Sequence, residues 1–331
     1  MLILTHHDAD GLSSGALLSR ALERAGRPCT VRLVGRGESA WTDPVRAETA
    51  GRDIGGLIVA DLGVRGGSLG SAAPAVVIDH HVPTGAPEGA TVISGYGQEP
   101  VPTTSLLAYR CAGQLDDVAD LLWLAAVGLV GDLGDKAPFE ELAAAKKVYT
   151  ATAIREVVSL VNAPRRTASG DAAAALALLL AARDPKDALS GLYPERVALQ
   201  AARDEVKLEV EAGKRVPPQV RGEIALISLD SPCQIHPLVA QAWRVRLRDK
   251  IVLAANTGFR PGWVHFAART ATGRNLVDYL RGVAPPGADE NYGGGHEQAS
   301  GGALRLEDWP IFLANIGFPP AEASNHGTAG G

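Results

Sequence analysis

Leu2-Ile3-Leu4-Thr5-His6-His7-Asp8-Ala9-Asp10-Gly11 opens the chain: a short apolar run that ends in two histidines and two acids. The pattern returns at Val76-Val77-Ile78-Asp79-His80-His81, and acids also close Leu57-Ile58-Val59-Ala60-Asp61 and Leu129-Val130-Gly131-Asp132. Runs this short, rich in Leu, Ile and Val and bounded by Gly, Pro and Asp, are expected to be strands buried on both faces, which are usually parallel. After the first run, Gly11 to Ala25 carries Leu12, Ala16, Leu17 and Leu22 at helical spacing, with Gly26 and Pro28 as stop signals. Strand, helix and strand in this order predict an α/β fold with a parallel sheet. In such sheets ligands bind beyond the carboxyl ends of the strands, where Asp8, Asp10, Asp61 and Asp79 fall.

Any one of these acids reads equally well as a strand-end residue or a helix cap. Their conjunction points further. Of eight histidines, four form the pairs His6-His7 and His80-His81, each directly beside an Asp at a strand end. Carboxylates mixed with imidazoles suit borderline divalent ions such as manganese, whereas calcium takes an all-oxygen cage. Cys29, Cys111 and Cys233 are far apart, so neither a thiolate zinc site nor a disulfide framework is expected, and free thiols suit a reducing compartment.

These residues resemble the motifs of the DHH-DHHA1 phosphoesterases, the superfamily of RecJ-type nucleases and nano-RNases. The first motif appears as His6-x-Asp8-x-Asp10-Gly11, the second as Asp61, the third as Asp79-His80-His81 and the fourth as Gly131-Asp132 after a hydrophobic helix. A fifth stands at Gly293-Gly294-Gly295-His296, whose continuation has Ser300 where the family commonly has alanine. The resemblance covers roughly residues 1 to 315.

Residue by residue, it implies one Mn2+ ion on His6, Asp8 and Asp61 and a second on Asp10, Asp61, His80 and Asp132, with Mg2+ or Co2+ as alternatives. His6 lies two residues before Asp8, whereas some relatives place that ligand four before or use Asp, and Asp135 competes with Asp132 for the fourth motif. Two cations about 3.5–4 Å apart activate water and stabilise the attacking and leaving oxygens of a displacement at phosphorus. The implied catalytic residues are His81, near the scissile phosphate, and Asp79, which orients a histidine through its second ring nitrogen. Arg269 matches a phosphate-contacting position. Gly293, Gly294, Gly295 and His296 are expected to hold substrate, their amides cradling an anion if they open a helix.

With 331 residues and 46% hydrophobic content the chain is sized for about two domains. The expected organisation is a metal-binding catalytic domain at 1–150, a helical connector and linker at 151–215, a smaller α/β substrate domain at 216–315, and a tail at 316–331. The resemblance implies an active site in the cleft between the two domains. Strands are expected at Glu223–Leu229, Ile251–Asn256 and Trp263–Ala268, and a buried helix over Ala172–Ala182. No stretch is long enough for a membrane span and no secretory leader is visible, so a cytoplasmic location is the expectation.

The net charge is -5 and no extended basic face of the kind that grips long nucleic acid is obvious, but bound metal would neutralise several acids, so charge alone does not exclude a nucleic acid. Arg244, Arg246, Arg248 and Lys250, like Arg165 and Arg166, read as solvated surface charge. The resemblance is to the minimal two-domain form of the family, without the added modules common in RecJ-like nucleases, and implies hydrolysis of short oligonucleotides or dinucleotides to nucleoside monophosphates. The alternatives are RecJ-like exonuclease action on single-stranded DNA, hydrolysis of cyclic dinucleotides or small phosphates, and last a non-catalytic scaffold; a homodimer is left open.

Overall fold

The computed structural model describes residues 1–289 and 292–318. Of the tail expected at 316–331, residues 319–331 lie outside the described residues, while Ile316 and Phe318 are buried in the core of the second unit. The chain divides into two compact units, Met1–Asp204 and Glu205–Gly331, and the division falls inside a long helix, upstream of the Lys214–Val220 segment.

The first unit runs β1 (Leu2–His6), α1 (Ala9–Arg24), β2 (Thr30–Val34), α2 (Asp43–Ala50), β3 (Leu57–Ala60), β4 (Ala75–Asp79), β5 (Ala90–Ser94), α3 (Thr104–Ala112), α4 (Leu122–Leu133), α5 (Glu140–Tyr149), α6 (Ala151–Val161), α7 (Ala173–Ala181), α8 (Pro185–Ala188) and α9 (Glu195–Gly213). Its five strands are all parallel, in the order β2-β1-β3-β4-β5. Because β1 lies between β2 and β3, the chain reverses direction across the sheet there. The carboxyl ends of β1 and β3 thus flank a topological switch point, where open sheets leave a crevice.

From Ala9 to Ser19 every residue of α1 is buried, as expected of a helix enclosed on all sides. Enclosure demands small residues. A Cβ on Gly11 would lie 2.5 Å from the His6 carbonyl oxygen, and one on Gly131 of α4 would lie 2.8 Å from the Ala9 methyl. These glycines let the turn after β1 and the end of α4 approach each other closely.

The apolar run before Asp132 is helical, as the resemblance implies and unlike the strand that its composition alone suggests. Periodicity cannot separate a buried strand from a buried helix. Here the unbroken stretch from Leu121 to Val130 is longer than a strand, and Trp123, Leu124, Ala125, Ala126 and Val127 of α4 are all fully buried. The helices after residue 150 build the same core: Ile154, Val157 and Leu160 of α6 and Leu178 and Leu179 of α7 pack with α1 and α4.

The second unit continues with β6 (Gln219–Arg221), β7 (Ile224–Leu229), α10 (His236–Arg244), β8 (Ile251–Asn256), β9 (Trp263–Thr270), α11 (Leu276–Gly282), β10 (Tyr292–His296), β11 (Ala299–Arg305) and α12 (Trp309–Asn315). Its sheet has the order β10-β11-β9-β8-β7-β6, with β7 and β8 parallel and the other pairs antiparallel. Phe266 and Phe312 stack at 5.2 Å inside its core. Among the described residues no helix is long and apolar enough to cross a membrane.

Gly293, Gly294, Gly295 and His296 do not open a helix. They form β10, which pairs antiparallel with β11 and shifts register between Tyr292 and Gly294. Gly293 has φ 75° and Gly295 has φ 126°, and a Cβ on Gly295 would lie 2.5 Å from the Ala299 carbonyl oxygen. The glycines therefore serve an irregular hairpin that side chains would strain.

Candidate metal centre

Asp8 is both a cap and a site residue. Its Oδ1 accepts from the Gly11 amide at 3.1 Å, capping α1, while Oδ2 lies 3.1 Å from His6 Nδ1. Asn162 Oδ1 takes the Ala9 amide at 2.9 Å and holds the same turn. In the first turn of α1, the buried Asp10 accepts from the Thr104 amide through Oδ2 (2.8 Å) and the Ser105 amide through Oδ1 (3.0 Å), so its carboxylate sits on the amino end of α3. Asp61, just past β3, has φ 62°, a conformation uncommon outside glycine, and the Thr104 hydroxyl donates to its Oδ1 at 3.0 Å.

Among the described residues, three groups of potential ligand atoms result, each gathered within 4.8 Å: His6, Asp8 and Asp61; Asp10, His80 and Asp132; and Asp61, His80 and His81. Asp61 faces both sides. Its Oδ2 is 3.7 Å from His6 Nδ1, and its Oδ1 is 3.6 Å from His80 Nε2. His6, Asp8, Asp61, His81 and Asp132 line one cavity of about 340 Å³, together with Ser39, Val64, Arg65 and Val82.

The acids repel one another. Burial first, and then the charge of Asp132, push the Asp10 carboxyl up to about 6. Burial and the neighbouring Asp10, Asp8 and Asp132 hold Asp61 well above the usual carboxylate range. Asp8 goes the other way: burial pushes upward, but His6 and then Arg165 outweigh it. Burial also opposes a charge on His80, yet Asp132, Asp10 and Asp61 carry it up to about 9. Its buried Nε2 makes no well-directed hydrogen bond, with Asp132 Oδ2 at 3.3 Å. Crowded acids around an unsatisfied imidazole nitrogen are what a bound cation would relieve, and the donor set of carboxylates and imidazoles fits manganese.

Asp79 is not a member of these groups. Its Oδ2 accepts from the Gly63 amide at 2.6 Å, and its Oδ1 accepts from the His81 amide at 2.7 Å and stands 2.8 Å from His81 Nδ1. Burial opposes ionisation of Asp79, but these bonds from His81 and Gly63 keep its carboxyl below the usual range. Asp135 also lies outside the groups and pairs with Arg155 at 2.7 Å. Ser105, Asn162 and Gly128 were missed by sequence reasoning, which took Thr104 only as part of a Tyr96–Thr104 segment equally well explained as a plain connecting loop. A methyl on Gly128 would overlap Ser105 Oγ and Asp10 Oδ1. The one available signal was Thr103-Thr104-Ser105 after Pro102, a helix-capping composition.

In the second unit, Arg269 of β9 donates to the carbonyls of Ala268 (2.9 Å) and Ser300 (3.3 Å), and burial and then Arg244 lower its affinity for a proton. Arg244 donates to Gln298 Oε1 at 3.2 Å. His296 is exposed at the end of β10. Ser300, the departure from the family form, donates its hydroxyl to the Gly294 carbonyl at 2.8 Å and ties the hairpin together.

No protein-family profile matches the chain, and no curated protein does. Solved structures do. Exonuclease RecJ bound to manganese is similar at a TM-score of 0.64 and 21% identity, covering 95% of this chain and 88% of that one. RecJ from Thermus thermophilus in complex with Mn2+ has a TM-score of 0.68 and 22% identity; the match covers 95% of this chain but 51% of that chain, so this chain spans about half its length. The DHH domain of a member of the s1p family of ribosomal proteins has a TM-score of 0.65 and 16% identity, over 97% of this chain and 87% of that one. The chain has the DHH-family fold.

Proposed function

We propose that the chain is a metal-dependent phosphodiesterase that hydrolyses short oligonucleotides or dinucleotides to nucleoside monophosphates. The observation that carries this reading is Asp61, whose two oxygens face His6 on one side and His80 on the other. His6, Asp8 and Asp61 would hold one divalent cation, and Asp10, Asp61, His80 and Asp132 a second. When bound, Mn2+ or a similar ion supplies the Lewis-acid charge for in-line displacement at phosphorus.

The remaining work falls to the chain. The ends of α1 and α3 fix Asp8 and Asp10, so the acids are aimed before substrate arrives. With His81 Nδ1 turned to Asp79, Nε2 is the ring atom left for substrate, where it would stand beside the scissile phosphate or the leaving oxygen. Arg269 and the 293–296 hairpin would contact the substrate phosphate and nucleoside. Short substrates suit the net charge of -5.

The test is turnover of a length series, from dinucleotides to long single strands of RNA and DNA, with Mn2+ and with chelator. Metal-dependent activity that peaks at a few nucleotides supports the proposal. The second reading, a RecJ-like exonuclease on single-stranded DNA, is favoured by the RecJ neighbours and requires activity that grows with DNA length.

A further inference from the structure

We propose that Arg165 is a phosphate-binding residue of this centre, its guanidinium taking a non-bridging oxygen of the substrate phosphodiester on the His6 and Asp8 side. The inference deepens the proposed function and rests on it.

Arg165 belongs to the short 3-10 turn Pro164–Arg166 that follows α6. That turn is tied down. Arg36 donates to the carbonyls of Arg165 (3.4 Å), Thr167 (2.7 Å) and Ala168 (3.3 Å), and the Thr167 hydroxyl bonds the Pro164 carbonyl at 2.7 Å. The same segment supplies Asn162, whose side chain grips the amide of Ala9. The segment is thus registered on the turn that carries Asp8 and Asp10.

The Arg165 side chain is 22% exposed and its Nη1 lies 3.8 Å from Asp8 Oδ2, too far for a hydrogen bond. Its Nε is buried without a hydrogen-bond partner. A half-buried guanidinium held near an acid, yet not bonded to it, keeps directional donors for something else. The charge balance says what. Four carboxylates (Asp8, Asp10, Asp61 and Asp132) would be formally neutralised by two divalent cations, and Asp79 accepts from the Gly63 and His81 amides. Arg165 then leaves positive charge that a phosphodiester anion would cancel, and its planar fork fits phosphate oxygens. A merely structural counter-ion to Asp8 would instead be needed for metal binding.

The experiment uses the full chain and the variants Arg165→Met and Arg165→Lys. Calorimetry measures AMP and adenosine binding to Mn2+-loaded protein, and electron paramagnetic resonance measures Mn2+ binding without nucleotide. Arg165→Met should weaken AMP by about tenfold or more, leave adenosine and Mn2+ binding unchanged, and be partly rescued in Arg165→Lys. Unchanged AMP binding overturns the proposal, as does a parallel loss of Mn2+, which would make Arg165 a positioning residue for Asp8. If Arg165→Met does not fold, Arg165→Lys decides: AMP binding equal to wild type with KM and kcat both intact overturns the proposal. Wild-type protein that binds AMP through Arg165 but cleaves no phosphodiester upholds the phosphate contact and removes the proposed hydrolase activity.

Discussion

The Thr104 hydroxyl donates to Asp61 Oδ1 at 3.0 Å, while the Thr104 amide donates to Asp10 Oδ2 at 2.8 Å, so one residue at the start of α3 fixes two acids of the centre. Thr104→Val keeps the shape and the amide but removes the hydroxyl. Residues that orient ligands typically change metal affinity or activity about 10–100-fold when altered. Titration of Mn2+ into Thr104→Val should show a weakening in that range, with an unchanged circular dichroism spectrum. An affinity equal to wild type would place Asp61 under the control of the backbone alone.

Asp61 is buried among four other acids, Asp10, Asp8, Asp132 and Asp79, and its carboxyl is held well above its usual range. In metal-free protein such a group destabilises the fold, because an ionised carboxylate there lacks a compensating charge. Asp61→Asn should therefore raise the thermal midpoint of the metal-free protein at pH 7.5. At Mn2+ a hundredfold above its Kd, wild type should gain about 2.7 kcal/mol from binding, and Asp61→Asn should gain almost none. A variant that is still stabilised by Mn2+ would remove Asp61 as the shared ligand.

The pH response follows from Asp10, pushed up to about 6 by burial and Asp132, and from His80, carried up to about 9 against burial by Asp132, Asp10 and Asp61. Both groups bind protons more tightly folded than unfolded. Their stabilisation is complete below the unfolded values, 3.8 and 6.5, and is lost as pH rises through about 6 and about 9. These groups should make the metal-free protein lose stability from pH 5 to pH 7.5. Mn2+ competes with the same protons, so its stabilising effect should grow over that interval. Thermal midpoints in chelator and in Mn2+, measured across pH, check both signs; a metal effect independent of pH would uncouple Asp10 and His80 from the ion.

Much of the fold was legible because β1, β3 and β4 are short apolar runs that end in acid, and the parallel sheet follows from them. Asp8, Asp61 and Asp79 are visible for the same reason. Two elements were not legible. The run before Asp132 carries apolar residues without a period, and only its full length makes it α4. Gly293 to Gly295 have no side-chain pattern, so nothing local distinguishes a helix start from the β10 hairpin. Ser105, Asn162 and Gly128 were invisible for a different reason: each acts on a residue far away in sequence, and only tertiary packing supplies the partner.

Gly128 gives the most direct test of that packing. It lies in α4 where a methyl would overlap Ser105 Oγ and Asp10 Oδ1, and Ser105 itself donates to the Ala125 carbonyl at 3.2 Å. Alanine is the better helix former and would by itself favour α4 by about 1 kcal/mol. Forcing a methyl into a filled interior typically costs about 1–3 kcal/mol, and here the neighbours that must yield are the Ser105 side chain and a buried carboxylate held by two amides. Overpacking should win. Gly128→Ala should lower the thermal midpoint of the metal-free protein and also weaken Mn2+ binding, because Asp10 can move only by leaving the end of α3. Denaturant melts and Mn2+ titrations on the same preparation separate the two effects: lost stability with full metal affinity would mean that Asp10 is not a ligand, whereas loss of both ties the approach of α4 to α1 and α3 to the geometry of the centre.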